Sequence, residues 1–251
     1  MAVEHELAQP LRHHHRSPLE QRRQPVRGPL LGLFAVADGL GGYEGGEIAS
    51  ALTVETIETF VARNQRDPGG TWPCKEDKKK SLVENLLQCA AVEAHQAIVD
   101  KRAGRLGQMG STVASMLIAG STVAVAHVGD SRVYRLRTGV LKPLTRDHSV
   151  YAEMLAAGCD LPPRHDFPFE NQITRALGLI GNATADTSVV DALPGDRFLL
   201  CTDGLYDPFE DEELGTLLRP DDAATACKRL VETAFERGSA DNITAVIVDV
   251  S

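Results

Sequence analysis

Apolar residues along this chain follow two rhythms. Leu31 to Ala37 is a mostly apolar run, too short for a helix in its surroundings, and it predicts a strand buried on both faces. Asp38 closes that run, and five glycines follow between Gly39 and Gly46. Such backbone can approach an ion or a phosphate closely because no Cβ stands in the way. From about Gly46 the period turns helical: Ile48, Leu52, Ile57 and Val61 share a face while Glu47, Glu55 and Glu58 point to water. That helix is expected to stop before Asn64-Gln-Arg-Asp-Pro-Gly-Gly70. A second helix is expected from Ser81 to about Ala103, with Leu82, Leu86, Cys89, Val92, Gln96 and Val99 as its stripe. Ser81 and Glu84 stand in capping-box spacing.

The period then drops to two. Ser111 to Ala119 and Thr122 to Val128 predict a hairpin around Gly120, and Arg132 to Arg137 with Val140 to Leu144 a second around Thr138-Gly139. A short helix over Val150 to Ala157 leads into an irregular, proline-containing loop from Cys159 to Asn171. Strand-like runs resume at Ile173, Asp186 to Ala192 and Arg197 to Cys201. Helices follow over Asp211 to Leu218 and Asp222 to Arg237, and Ile243 to Val250 is the last strand. Helices, then a block of antiparallel strands, then helices and a strand indicate an α+β fold and not alternating βαβ units.

Composition adds three constraints. With 251 residues and 43% hydrophobic content the chain can bury a sizeable core. No apolar run reaches the roughly 18 residues of a membrane span, so the expectation is a protein without a membrane partner. The five cysteines (Cys74, Cys89, Cys159, Cys201, Cys227) are scattered and contain no C-x-x-C pair, which predicts free thiols and a cytoplasmic location. The net charge of −9 argues against nucleic acid.

Charge is also unevenly placed. Residues 1–29 carry five Arg, three Glu, four His and four Pro but no Asp, so they sum to +2 and the remainder to −11. We therefore expect residues 1–29 to be a separate, disordered segment and 30–251 to be the folded domain. The Arg12-His-His-His-Arg16 run reads as adventitious and not as a metal site.

Four more carboxylates share the context of Asp38, each near a buried β run and beside Gly or Asn or close to such a pair. Asp130 follows Ala124-Val-Ala-His-Val-Gly, Asp203 follows Phe198-Leu-Leu-Cys-Thr, Asp207 lies four residues on, and Asp241 opens the last strand. Each alone is an ordinary turn or cap aspartate. Together, at one end of a sheet, they would repel unless a cation sat among them, and oxygen-only ligands select hard ions such as Mg²⁺ or Mn²⁺.

Asp38-Gly-Leu-Gly-Gly, Gly110-Ser-Thr, Val128-Gly-Asp-Ser-Arg, Leu144-Thr-Arg-Asp-His, Ile173-Thr-Arg-Ala-Leu-Gly, Cys201-Thr-Asp-Gly-Leu-Tyr-Asp and Ala240-Asp-Asn-Ile-Thr resemble, in order, the motifs of the bacterial metal-dependent type 2C serine/threonine phosphatases. The resemblance implies two antiparallel β-sheets packed as a sandwich and flanked by helices on both sides. It implies two or three Mn²⁺ or Mg²⁺ ions at one end, with Asp38 bridging two of them and Gly39 lending its carbonyl. Asp203 and Asp241 would hold the first ion; Asp130, Asp203 and Asp207 would form a weaker third site. Asp38, Asp203 and Asp241 are thus the catalytic candidates. Residues 148–172 would be a mobile flap touching substrate, and His127 and His148 are read as structural.

The implied activity is hydrolysis of phosphoserine and phosphothreonine on proteins by a metal-bridging hydroxide. Implied partners are phosphoproteins and an opposing Ser/Thr kinase, the phosphatase itself being a monomer. The chain departs from the family at its start, where no Asn-Glu-Asp motif and no matching phosphate-binding Arg precede Asp38. That departure predicts a missing first strand, a bare sheet edge and impaired turnover. A non-catalytic, phosphoprotein-binding module is the alternative, and a hydrolase of small phosphoesters is a third reading.

Overall fold

Strands whose two faces both meet apolar layers account for the unbroken apolar runs. The computed structural model describes residues 3–8, 32–67, 71–179, 184–219, 222–239 and 241–251. Its elements are β1 (Val3–Ala8), β2 (Leu33–Val36), β3 (Gly39–Leu40), α1 (Gly42–Arg66), α2 (Leu82–Lys101), β4 (Gly110–Ser111), β5 (Val113–Ala119), β6 (Thr122–Val128), β7 (Arg132–Arg137) and β8 (Val140–Pro143). They continue with α3 (Val150–Ala156), β9 (Asp186–Asp191), β10 (Arg197–Cys201), α4 (Asp203–Tyr206), α5 (Asp211–Leu218), α6 (Ala223–Glu236) and β11 (Ala245–Val250).

Among the described residues two larger antiparallel sheets result, ordered β1-β11-β10-β7-β8 and β2-β5-β6-β9, beside a two-stranded β3-β4 ladder. Alternate residues sort into three apolar layers. Phe34, Val36, Met116, Val123, Val125, Val133, Phe198, Leu200, Val246 and Val248 fill the space between the sheets. Leu33, Val113, Leu117, Ala124 and Val128 face the other way, against Ile57, Phe60 and Val61 of α1 and Leu87, Ala94 and Ile98 of α2. Tyr134, Leu199, Cys201 and Ile247 meet Leu214, Leu218, Ala226, Leu230 and Ala234 of α5 and α6. Each fully buried Leu, Phe or Val contributes about 1.5–3 kcal/mol, so the three layers hold the helices and sheets as one body. This is the expected sandwich flanked by helices.

Both hairpins form as expected. Thr138 at φ 50° and Gly139 at φ 80° make the two-residue left-handed turn that suits strand twist. Helix α2 carries the expected capping box: Ser81 and Glu84 bond each other's backbone N–H. Its buried face differs from the expected stripe, since Leu82 is exposed while Leu87, Ala90, Ala91, Ala94 and Ile98 are buried. Alanines carry little hydrophobic signal in a sequence, yet they let α2 lie close on its neighbours. Helix α1 starts one turn before Gly46, so part of the glycine-rich bend is itself helical, and it runs past the expected stop to Arg66, with the buried Asn64 side chain donating to Phe60 O (2.9 Å) inside its last turns.

Two expectations are corrected. The sheet edge is not bare: β1 pairs antiparallel with β11 from Val3↔Val250 to Ala8↔Ala245. A strand therefore lies inside the segment expected to lack order, where the alternation Val3-Glu-His-Glu-Leu was outweighed by the Arg/His-rich stretch after it. That stretch, with Arg12 to Arg16, Glu20, Arg22, Arg23 and Arg27, lies outside the described residues. Nor are all cysteines free, because Cys74 in the connection before α2 is disulfide-bonded to the buried Cys89, 15 residues on. Cys159, Cys201 and Cys227 remain thiols outside any disulfide. Among the described residues no helix is long and apolar enough to cross a membrane.

The expected flap is a closed loop with tied ends. Val150 N–H donates to Gln172 O (2.9 Å) and Thr174 N–H to His148 O (2.8 Å). Between them lie α3, N-capped by Ser149, and a 3₁₀ turn at Arg164–Asp166.

Candidate metal centre

Asp38, Asp203 and Asp241 come from three places distant in sequence, and the strand order brings them together. Asp38 leaves the end of β2, Asp203 opens α4 directly after β10, and Asp241 precedes β11, the neighbour of β10. One carboxylate oxygen from each lies within 4.8 Å of the others.

Each is held from behind by its motif. The Asp38 N–H donates to Thr112 Oγ1 (3.1 Å), and Asp38 O accepts from Thr112 N (2.8 Å) and Ser111 Oγ (3.0 Å). That bracing is the role of Gly110-Ser-Thr. Gly39 pairs with Ser111 in the short β3–β4 ladder. A Cβ on Gly39 would lie 1.9 Å from Gly46 O, so the bend closes only because glycine occupies both positions. Thr202 Oγ1 donates to Asn242 O (3.1 Å), tying the Asp203 turn to the Asp241 turn. A Cβ on Gly204 would stand 2.7 Å from the same carbonyl.

Asp130 and Asp207 lie close enough to act on the charge of Asp203, but the acids that come within 4.8 Å of one another are Asp38, Asp203 and Asp241. The Tyr206 hydroxyl donates to Asp130 O (3.0 Å). Burial first, then Asp147 and Asp38, raises the Asp130 carboxyl to about 6. Burial first, then Asp130, Asp207 and Asp241, raises Asp203 to about 7. Asp207 is also raised, by burial, against the opposing pull of Arg164. These acids therefore crowd one another with too little positive charge nearby. Carboxylate oxygens short of compensation fit a hard divalent ion, which would reverse those shifts.

His127 and His148 stand apart from this group. Their rings stack with centroids 4.5 Å apart, and His148 Nδ1 accepts the Gly129 N–H (3.0 Å). Burial, then His127 and Arg175, pushes His148 down to about 4, so it is neutral at pH 7. Ligand-type atoms of His127, His148 and Asp186 also lie within 4.8 Å. There the cation is already supplied by Arg175, whose Nη1 is 2.7 Å from His148 Nε2 and 2.8 Å from Asp186.

Two arginines gain roles that spacing did not assign. Arg132 of Val128-Gly-Asp-Ser-Arg binds Asp147 of Leu144-Thr-Arg-Asp-His through two hydrogen bonds. Arg164 reaches from the flap to an ion pair with Asp207. Paired motifs gave a signal for the first; nothing local marked the second.

Residues 24–247 match the family described as Protein phosphatase 2C. The chain is 34% identical over 220 residues to the serine/threonine protein phosphatase PstP of Mycobacterium tuberculosis, with 87% of this chain aligned and 40% of that protein. It therefore spans well under half of that relative's length. It is 32% identical over 221 residues to the serine/threonine phosphatase stp of Listeria monocytogenes, covering 86% of this chain and 84% of that one. The solved catalytic domain of a PstP in complex with 2 manganese ions superposes with a TM-score of 0.75 at 29% identity, over 99% of this chain and 97% of that one. With the match running through nearly every element that builds the acidic site, the chain belongs to the protein phosphatase 2C family.

Proposed function

We propose that this chain hydrolyses phosphoserine and phosphothreonine in proteins with the help of two Mn²⁺ or Mg²⁺ ions and a weaker third. The observation that carries this reading is the convergence of Asp38, Asp203 and Asp241 within 4.8 Å. Under it, Asp38, the Gly39 carbonyl, Asp203 and Asp241 would hold the two stronger ions, and Asp130, Asp203 and Asp207 the weaker third. Such ions lower the pKa of water and neutralise charge on a phosphoryl group. The chain's own part is positional. Ser111 and Thr112 fix the backbone of Asp38, and the Thr202–Asn242 contact fixes Asp203 against Asp241.

The partners under this reading are phosphoproteins and a Ser/Thr kinase that phosphorylates them. Such a kinase consumes ATP, so we assign both to the cytoplasm; we take the phosphatase as a monomer. The Cys74–Cys89 bond speaks against a reducing compartment, and a thiol count in cells decides that point. Turnover by this chain is low in our reading, because its sequence before Asp38 lacks the Asn-Glu-Asp acid of the second ion. The same observation favours one alternative, a module that binds phosphoproteins without turning them over.

Phosphate release from a phosphothreonine peptide with and without Mn²⁺ separates these readings. Release that needs Mn²⁺ and falls by roughly 10²-fold or more in Asp38→Asn supports catalysis; losing even an outer partner of a metal ligand costs 10–100-fold. Peptide binding with no release at any Mn²⁺ concentration supports the alternative.

A further inference from the structure

Thr112 stands between two acidic turns. The sheet order β2-β5-β6, with Val36 opposite Ala114 and Val113 opposite Val128, sets it between Asp38, which follows β2, and Gly129, which follows β6. On the Asp38 side the ladder pattern is broken. Thr112 N–H donates to Asp38 O (2.8 Å), and a regular pair would return the bond from Asp38 N–H to the Thr112 carbonyl. That carbonyl instead accepts from Ser111 Oγ (2.8 Å), and Asp38 N–H donates to the Thr112 side-chain Oγ1 (3.1 Å). On the other side Thr112 Oγ1 lies 2.7 Å from Ser131 Oγ. A Cβ on Gly129 would stand 2.6 Å from Thr112 Cγ2, so both branches of Thr112 meet the turn that carries Asp130. Thr112 and Ser131 are each only 1% exposed.

We propose that Ser131 is a positioning residue of the metal centre: acting through the Thr112 hydroxyl, it fixes the backbone of Asp38 against the Asp130 turn. The proposal rests on the metal-binding reading of Asp38. An oxygen that accepts the Asp38 N–H keeps its own hydrogen and a second lone pair, and Ser131 takes one of these. The serine thereby selects the Thr112 rotamer in which Oγ1 faces Asp38. Without it, a buried hydroxyl loses a partner, which is costly enough to favour turning away. Asp38 N–H then loses this acceptor, and the carboxylate shared by the ions is no longer aimed. Ser131 differs in this from Tyr206, which holds the same turn through Asp130 O (3.0 Å) by a route that does not pass through Thr112.

The test titrates Mn²⁺ into the full chain by calorimetry, in the native protein, Ser131→Ala, Thr112→Val, Thr112→Ser, the Ser131→Ala/Thr112→Val double variant and Tyr206→Phe. Metal-free melting points report folding separately. The tightest Mn²⁺ should bind about 10–100-fold more weakly in Ser131→Ala, the usual loss when a partner behind a metal ligand is removed. Thr112→Val should lose at least as much, and the double variant no more than Thr112→Val, because both changes break one contact. Thr112→Ser keeps the hydroxyl but gives up the methyl against Gly129, so it should hold Mn²⁺ near the native affinity even where its melting point drops. Tyr206→Phe should also stay near native. If Ser131→Ala fails to fold, the contrast between Thr112→Val and Thr112→Ser decides. An unchanged isotherm in Ser131→Ala, additive losses in the double variant, or equal weakening in Tyr206→Phe would overturn the proposal and leave the metal reading standing. No Mn²⁺ binding by the native chain would overturn both. Hydrolysis enters none of these readouts, so a slow enzyme still gives the answer.

Discussion

Arg132 grips Asp147 through two hydrogen bonds of 2.8 and 2.6 Å, with the carboxylate side chain only 9% exposed. The same guanidinium donates to the Tyr134 hydroxyl (2.8 Å) and lies 3.6 Å from the Tyr206 ring centre. Tyr206 in turn donates to the Asp130 carbonyl. A chain of contacts thus runs from the segment before the flap to an acid of the candidate centre. Asp147→Ala leaves this guanidinium without its partner and should cost about 3 kcal/mol, the lower end for breaking a buried pair because Arg132 keeps some solvent contact. Urea denaturation at pH 7 measures it. Arg132→Lys should recover little of the loss seen in Arg132→Ala, since an ammonium cannot make the two parallel bonds.

The acids of the centre destabilise the metal-free chain at neutral pH. Asp203 sits at about 7 in the fold against an unfolded value near 3.9. Between those values the folded state holds a proton that the unfolded state has lost, so stability is fully present below about pH 4 and is lost as pH rises through 7. Asp203→Asn removes that loss. Without divalent ions it should raise the melting point at pH 8, by roughly 2–4 °C for each ~1 kcal/mol gained in a chain of this length, with the gain shrinking towards pH 4. With saturating Mn²⁺ the order should reverse, because only the native protein is stabilised by bound ion. Thermal melts at pH 5 and 8, with EDTA or Mn²⁺, give all four values.

How legible each element was in the sequence depends on what that element needed. Strands β5, β6, β10 and β11 were legible because both faces meet apolar layers, leaving runs such as Ala124 to Val128 without polar breaks beyond His127. Asp38, Asp203 and Asp241 were legible because each follows or opens such a run beside Gly or Asn. The Arg164–Asp207 pair was not: it spans 43 residues and depends on how a loop folds back. Helix α4 was missed because its four residues carry no periodicity. The Cys74–Cys89 bond lacked any spacing rule, and β1 was hidden by the Arg/His-rich composition of its C-terminal neighbours.

Backbone proximity at the Asp38 bend makes a further contrast. Gly39→Ala would put a methyl group against Gly46 O, 1.9 Å away before any shift, and should cost on the order of 3 kcal/mol or more through forced displacement. Gly42→Ala meets no atom within 4 Å but keeps φ at +80°, so only the left-handed penalty of about 1–2 kcal/mol applies. Should the two variants lose equal stability by chemical denaturation, close approach is not what demands glycine at position 39.

The cysteines divide into three behaviours. Purified without reductant, the native chain should show a single fast-reacting thiol, the exposed Cys159. Cys201 and Cys227 are buried, and burial pushes the Cys201 thiol far up, so both should react only on unfolding. Cys74 and Cys89 should react only after reduction. Closing a loop of 15 residues contributes about 3 kcal/mol in the chain-entropy account, so Cys74→Ser should lower stability by up to that amount. Five thiols in unreduced, denatured protein would contradict the bond.

The strand at Val3–Ala8 changes what the missing motif means for catalysis. Because β1 already pairs with β11, the sheet edge is closed and the sandwich does not need a grafted strand to fold. What the sequence before Asp38 lacks is the Asn-Glu-Asp motif and an arginine in its family context, which in the proposed reading would give the second ion an acid and clamp phosphate. An ion held by one shared carboxylate, a carbonyl and water binds weakly, and an arginine that clamps phosphate adds two charge-assisted bonds. The native chain should therefore need high Mn²⁺ and turn over slowly. Grafting Arg and Asn-Glu-Asp into the connection between β1 and β2 should raise kcat/KM at least about 10²-fold, equivalent to about 2.7 kcal/mol of barrier, and lower the Mn²⁺ requirement. Melting points of native and grafted chains without metal should stay within about 2 °C, since one kcal/mol shifts them by about that much. A native chain that already turns over at roughly 1–10³ s⁻¹ with modest Mn²⁺ would show that another residue supplies the acid, with Glu20→Ala the first variant to identify it.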